Sequence, residues 1–353
     1  MTEAVNRRVA LRRVPAGMPT AEDFETVAEP IRSPAAGEML LRTRWLSLDP
    51  YMRSVFMNSA ANVGNTIIGG TVSEVLESRA EDWTPGDLVL GYYGWQEYSI
   101  GTAGDVQWNN PAMPIEKWDG SLGPASTAVG VLGMTGYTAY QGLLNVAKVR
   151  AGETVVVSAA SGAVGQVVGQ LAKIHGARAV GVAGGPAKCA WCVDEVGFDA
   201  CVDYKAPTFA QDLRKATPDG VDIYFENVGG DVLEAVIPLL NTGCRVPICG
   251  YIAHYNETAG ERRPTPLERL RAQGLPVLEP GAGDAAGGFR FFGFSELAGT
   301  QPAGQEALAA MSEWIVAGTL KYRESITDGI ESSVGAFIGM LQGDNFGKTI
   351  VRL

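Results

Sequence analysis

Histidine is nearly missing from this chain, with two in 353 residues, and neither histidine nor cysteine occurs before His175. A zinc centre needs three or four converging Cys, His or acidic ligands, so the first half lacks the nitrogen and sulfur donors of such a set. The five cysteines, Cys189, Cys192, Cys201, Cys244 and Cys249, are odd in number and all lie in the second half, which argues against a disulfide framework. Cys189 and Cys192 form a Cys-x-x-Cys pair, but there is no second pair, and His175 and His254 are the only histidines. Two small apolar residues on a helix face is the expected reading, with no metal. Basic runs are absent too: 28 Lys and Arg against 39 Asp and Glu leave a net charge of −11, which repels phosphate backbones and anionic membranes. No apolar stretch is long enough to span a bilayer, and the basic start "MTEAVNRRVALRR" has no apolar segment behind it. A cytoplasmic location without nucleic-acid or membrane partners is therefore expected.

What is present divides in two. Up to about residue 126, short period-two runs such as "EMLLRTRWLSL", "TIIGGTVSEV" and "DLVLGYYGWQEYSI" alternate with Gly, Pro and Asp, the pattern of a mostly antiparallel, barrel-like domain. From about residue 127 continuous apolar runs ("TVVVSAA", "RAVGVAG", "VDIYFENVGG", "CRVPICG") alternate with helix-like segments ("GQVVGQLAKIHG", "AKCAWCVDEVG", "FAQDLRKAT"). Apolar strands separated by amphipathic helices predict a parallel, doubly wound α/β domain covered on both faces. The predicted domains are 1–126 with 321–353, and 127–320; the return of "KTIVRL" to the first domain rests on the resemblance given below.

The run "VVVSAASGAVGQVVGQLAKIHGA" holds Ala160-x-Gly162-x-x-Gly165 between a strand and a helix opening near Val164. Glycines there let backbone approach a pyrophosphate and let helix pack on sheet, while the helix N-terminus offers free N–H groups. Ser161, Gly162, Ala163, Val164 and Gly165 are thus candidate cofactor contacts, with alanine in the first glycine's place. A site for NAD carries an acid at the end of the next strand for the ribose 2′-hydroxyl. Here that strand ends in Gly184 and Gly185, with Lys188 just beyond. A missing carboxylate and an added cation point to NADP(H), with Tyr204 of "CVDY" as a possible flank. Ligands of open α/β sheets bind beyond the strand carboxyl ends, which adds Asn227 of "FENVGG" and Cys249, Gly250 and Tyr255 of "ICGYIAHYN"; no thiol chemistry is assigned to Cys249.

"LSLDPYMR", "GYYGWQEY", "GMTGYTAYQGLL", "SAASGAVGQVVGQLAK", "GFDACVDYK", "FENVGG", "ICGYIAHYN", "LKYRESI" and "GDNFGKTIV" occur in this order along nearly the whole chain. Together they resemble the zinc-independent medium-chain dehydrogenases/reductases, most of all the prostaglandin and leukotriene reductases, plant double-bond reductases and bacterial curcumin reductases. The resemblance implies a GroES-like catalytic domain joined to a Rossmann domain, usually a homodimer, with NADPH in the cleft. It implies reduction of the C=C bond of α,β-unsaturated aldehydes or ketones. It assigns Lys188 and Tyr204 to the 2′-phosphate, and Asn227, the Cys249–Tyr255 stretch, Asn345 and Met134 to the rest of the cofactor. Without a metal, polarisation of the substrate falls to hydrogen-bond donors, and Tyr255 leads, sharing the enolate with the cofactor ribose; Tyr51 of "DPYMR" is the second catalytic candidate, and Asp49 reads as a turn or cap residue.

One region departs from the family's pattern. Either "RLRAQGLPV" (269–277) or "FRFFGFSEL" (289–297) corresponds to the segment that reaches the nicotinamide. Spacing to the following helix favours the second, hence Gly293 and Phe294, and makes the intervening residues an inserted loop near the site. Two further readings fit the same fold: a quinone reductase, and an NADPH-binding protein without turnover.

Overall fold

The computed structural model describes residues 5–107, 113–258, 260–278, 287–292 and 301–353, the side chains of 301–303 excepted. Phe294, with Gly293, lies outside the described residues. The chain divides into two compact units, Met1–Gly133 with Glu324–Leu353, and Met134–Arg323.

In the first unit β1 (Val5–Leu11) and β2 (Phe24–Pro30) form an antiparallel pair. The second sheet is built around β3 (Glu38–Ser47), which pairs antiparallel with β4 (Thr71–Ser78), β6 (Tyr98–Thr102) and β15 (Lys348–Arg352). Beyond β4 lie β5 (Leu88–Gly91) and β7 (Glu116–Lys117), and beyond β15 lies β14 (Glu324–Asp328), which pairs with it in parallel. Met39, Leu41 and Thr43 on alternate positions of β3 are buried, the period of a strand with one face inward, and the first two pack on Val75, Val89 and Ile115. The helices of this unit are α1 (Tyr51–Val55), which follows β3, and α9 (Ser333–Gln342), which carries the chain from β14 to β15. Trp95 is fully buried between Phe24, stacked at 6.2 Å, and Phe337 of α9, edge-on at 5.4 Å.

A buried ion pair ties the chain's end to the start of α1. Lys348 Nζ donates to Leu48 O (2.7 Å), Asp49 Oδ1 (3.0 Å) and Thr349 O (3.1 Å), and Ser47 Oγ donates to the other Asp49 oxygen. Asp49 is the turn residue expected, its carbonyl accepting from Met52 N at 3.1 Å, but it is not a side-chain cap: its carboxylate serves Lys348 and Ser47, and α1 has no side-chain cap.

The second unit contains one six-stranded parallel sheet, in the order β10 (Ala200–Asp203), β9 (Arg178–Ala183), β8 (Thr154–Ser158), β11 (Val221–Phe225), β12 (Leu240–Ile248), β13 (Gly288–Phe291). Counted along the chain this is 3-2-1-4-5-6, the doubly wound order whose direction reverses between β8 and β11. All five residues of β8 are buried, as a strand covered on both faces must be. Its helices are α2 (Met134–Tyr140), α3 (Gly165–Ile174), α4 (Pro186–Asp194), α5 (Phe209–Ala216), α6 (Gly230–Val236), α7 (Pro266–Ala272) and α8 (Gln301–Val316). Gly169 makes room for Phe198 of the segment before β10: a Cβ there would stand 1.9 Å from the Phe198 ring. Cys189 and Cys192 are buried on α4, where both meet the Cys201 thiol of β10.

The stretch read as an inserted loop holds structure. Thr265 and Glu268 make a reciprocal capping box that starts α7 behind Pro266, and Leu270 is fully buried in the core with Val246 and Phe289. Arg269 forks onto Glu234 through two 2.5 Å bonds. Among the described residues no helix is long and apolar enough to cross a membrane.

Removing one partner of a buried pair leaves the other charge uncompensated, at a cost of about 3–5 kcal/mol. Lys348→Met is therefore expected to lower stability to urea by about that amount, and adding Asp49→Asn is expected to recover most of it. A single variant that unfolds like the wild type would contradict this role.

Candidate active site

The turn after β8 explains the alanine in the glycine-rich loop. The left-handed residue is Ala159, at φ +51°, a conformation that costs an L-residue roughly 1–2 kcal/mol. Ala160 is fully buried, and a Cβ on Gly181 of β9 would stand 2.8 Å from its own Cβ, so the neighbouring strand makes the space that the loop does not. Gly162 donates to Ala159 O at 2.8 Å, and Gly165 permits no side chain, since its Cβ would lie 2.3 Å from Ala159 O. Ser161 is buried and Ala163 and Val164 half-buried ahead of the first turn of α3.

At the ends of β9 and β10 the chain builds a cationic and aromatic rim. Gly185 caps α4 at φ +95°, where a Cβ would meet nothing within 4 Å, and half-buried Lys188 follows in the helix's first turn. Asp203 Oδ1 accepts from Gly185 N (2.8 Å) and Lys205 N (2.9 Å). The acid nearest this rim is thus occupied with backbone amides. Tyr204 is 43% exposed, and its ring covers Gly184, whose Cβ would approach it to 2.9 Å. Lys205 Cε lies 3.2 Å from the same point; this second cation was not among the residues picked from the sequence. The Tyr204 phenol and the Lys205 side chain beside Gly184, with Lys188 in the first turn of α4, suit a phosphate monoester.

The ends of β11 and β12 are joined through one residue, Glu226. Glu226 Oε1 accepts from Tyr224 Oη (2.9 Å), Ser158 Oγ (3.1 Å), Val228 N (2.7 Å) and Gly229 N (3.0 Å). Its carbonyl accepts from Cys249 N (2.9 Å) and Gly250 N (3.2 Å). Burial pushes the carboxyl above the usual range, against the pull of the Gly229 and Val228 amides and the two hydroxyls. Asn227 is fixed by its own amide to Ser158 Oγ (2.8 Å) and by Nδ2 to Ser158 O (2.7 Å). Burial, with the Glu226 charge behind it, pushes the Cys249 thiol up to about 12, so it is inert at neutral pH.

Tyr255 follows a short helical turn, Ile252–His254, pinned by Ile252 N to Asn227 O (3.2 Å) and Ala253 N to Val228 O (3.0 Å). His254 Nε2 accepts from Gly230 N at 3.3 Å. The Tyr255 hydroxyl sits 2.9 Å from where a Cβ on Gly250 would stand, so Gly250 makes its room. Burial holds this hydroxyl protonated far above its ordinary range, and its ring packs on that of Tyr251 with centroids 5.7 Å apart. Protonated, the side chain has an O–H hydrogen to give.

Within this unit, then, Ser161–Gly165, Gly185, Lys188, Tyr204, Asn227, Cys249, Gly250 and Tyr255 all lie along the carboxyl edge of the parallel sheet. Met134 opens α2, half-buried. Tyr51 and Asn345 belong to the other unit. There the Tyr51 hydroxyl is 2.8 Å from that of Tyr92, and burial first, then Tyr92 and Asp49, drives it well above its usual range. Asn345 Nδ2 donates to Gly347 O at 2.9 Å.

Residues 7–108 match the family described as "N-terminal domain of oxidoreductase", and residues 163–281 the family described as "Zinc-binding dehydrogenase". The NADPH-dependent curcumin reductase of Escherichia coli (strain K12) is 43% identical over 99% of this chain and 97% of its own length. The 2-alkenal reductase (NADP(+)-dependent) of Nicotiana tabacum is 36% identical over 99% and 98%. The crystal structure of CurA from Vibrio vulnificus in complex with NADPH superposes with a TM-score of 0.85 at 41% identity, covering 98% of both chains. With full-length identity at this level and the same pairing of a β-rich and a doubly wound unit, the chain belongs to the medium-chain dehydrogenase/reductase family and is an oxidoreductase of it.

Proposed function

We propose that this protein is an NADPH-dependent enone reductase that saturates the C=C bond of α,β-unsaturated aldehydes and ketones. The observation that carries the reading is the Tyr255 hydroxyl at the carboxyl edge of the sheet, set beside Gly250 by the 252–254 turn that Asn227 O and Val228 O hold. Relatives named curcumin reductase and 2-alkenal reductase support the substrate class, and their NADP(H) dependence supports the cofactor.

The residues present fit NADPH. Lys188 and Tyr204, joined by Lys205, hold the 2′-phosphate; the Ser161–Gly165 turn and the α3 N-terminus take the pyrophosphate; Asn227, Cys249 and Gly250 border the nicotinamide half. Asn345, Met134 and Phe294 complete the set on resemblance alone. Bound NADPH supplies the hydride, which goes to the β-carbon of the enone. As negative charge develops on the carbonyl oxygen, Tyr255 donates its hydrogen bond to that oxygen, and such a preorganised donor works best out of water. Tyr51 lines the substrate's side, and protonation of the α-carbon by water or through Tyr255 completes the saturated product.

Polarisation by a hydrogen-bond donor in place of zinc is part of this proposal. Residues 1–174 contain no Cys or His, and among the described residues no group of three His, Cys, Asp or Glu is spaced for a metal. A homodimer, a cytoplasmic location and domain limits at residues 1–126 with 321–353 and 127–320 are further proposals resting on the sequence and its resemblance.

Purified protein given NADPH and trans-2-alkenals or aryl enones is expected to yield saturated carbonyl compounds, identified by mass spectrometry; Tyr255→Phe is expected to lower kcat about 100-fold. Allylic alcohols as products, or full activity in the phenylalanine variant, would overturn the mechanism. Lys188→Ala should raise the Kd for NADPH about tenfold, the worth of one charge-assisted phosphate contact, and leave that for NADH nearly unchanged. Equal effects on both nucleotides would refute the phosphate role.

A further inference from the structure

We infer that Glu226 is a positioning residue for the cofactor: its buried carboxylate shapes the β11–α6 turn at the point where the sheet reverses direction. The inference rests on the NADPH reading above and goes beyond it, because Glu226 touches neither substrate nor cofactor in that reading.

A turn that is to border a ligand must present backbone groups at fixed angles, and the amides of Val228 and Gly229 have no strand partner there. Both are collected by Glu226 Oε1, at 2.7 and 3.0 Å. That oxygen also takes the hydroxyls of Tyr224 and Ser158, and Ser158 Oγ in turn accepts from Asn227 N at 2.8 Å. One acceptor therefore fixes three successive turn residues and bridges the ends of β8 and β11, the two strands at the reversal, beyond which ligands of such sheets bind. Through its carbonyl the same residue holds Cys249 and Gly250, and Gly250 makes room for the Tyr255 hydroxyl.

The geometry is lopsided. Glu226 is fully buried, four donors converge on Oε1, and Oε2 has no hydrogen-bond partner among the described residues. A side chain kept for charge pairing would face a cation, and the contacts of Glu226 include none. What the site uses is one acceptor oxygen at one position. Glutamine retains that oxygen, leucine removes it at similar length, and aspartate withdraws it by one methylene. The requirement differs from simple core filling, which leucine would satisfy best.

The test compares wild type, Glu226→Gln, Glu226→Leu and Glu226→Asp in three measurements: thermal unfolding, NADPH affinity by fluorescence titration, and amide hydrogen exchange of the apo protein at residues 227–230 and 249–250. Gln is expected to bind NADPH within about threefold of wild type, and Leu and Asp at least about tenfold more weakly, the worth of lost charged hydrogen bonds. Faster exchange should be confined to these two segments, in melts that stay cooperative. If the leucine variant does not fold, the aspartate variant decides. Folded Leu and Asp variants with wild-type affinity would overturn the positioning role alone, as would a glutamine variant as weak as leucine. Wild-type protein that fails to bind NADPH would overturn the cofactor reading and this inference with it.

Discussion

The seam between β8 and β11 is the constraint on which the dinucleotide-binding unit depends. Parallel strands must bury both faces, so polar groups are admitted only where the strands end and only if their hydrogen bonds close. Here Ser158, Glu226 and Asn227 hydrogen-bond one another and the following backbone across the reversal. With four donors on one oxygen, the Glu226 carboxylate supports two turns at once. The placement of Tyr255 follows from this support through Gly250 and the 252–254 turn.

The β-rich unit uses the same device with opposite logic. There a buried cation, Lys348 on the last strand, holds Asp49 and the Leu48 carbonyl and so fixes where α1 starts with Tyr51. In both units an aromatic hydroxyl proposed for the site is carried on backbone held by a residue whose ionisable side chain is buried, Asp49 with Lys348 before Tyr51 and Glu226 before Tyr255. Such charges contribute little to stability beyond what apolar residues would give, and their use is to set position.

Much of this was legible in the sequence. Alternation in "EMLLRTRWLSL" and continuous apolarity in "TVVVS" foretold one-sided and two-sided burial, and strand-end rules placed Asn227, Gly250 and Tyr255 on one edge of the sheet. The four-donor cluster on Glu226 was not legible, because its partners come from β8, β11 and the turn and meet only in three dimensions. Lys348 and Asp49 are 299 residues apart, and nothing local in "GDNFGKTIV" marks the lysine as buried. Tyr92 was hidden for the same reason: its partner Tyr51 is 41 residues away. The helix α7 is a different case. Thr265-Pro266-x-Glu268 is a readable start of a helix with its capping box, local to the sequence and independent of any partner far along the chain.

The most direct measurement follows the hydride itself. A 2-alkenal is reduced with NADPH deuterated at C4 of the nicotinamide, and the label in the product is located by NMR. The account predicts deuterium on the former β-carbon of a saturated aldehyde, with hydrogen from water on the α-carbon. Deuterium on the carbonyl carbon of an unsaturated alcohol, or none in the product, would contradict it.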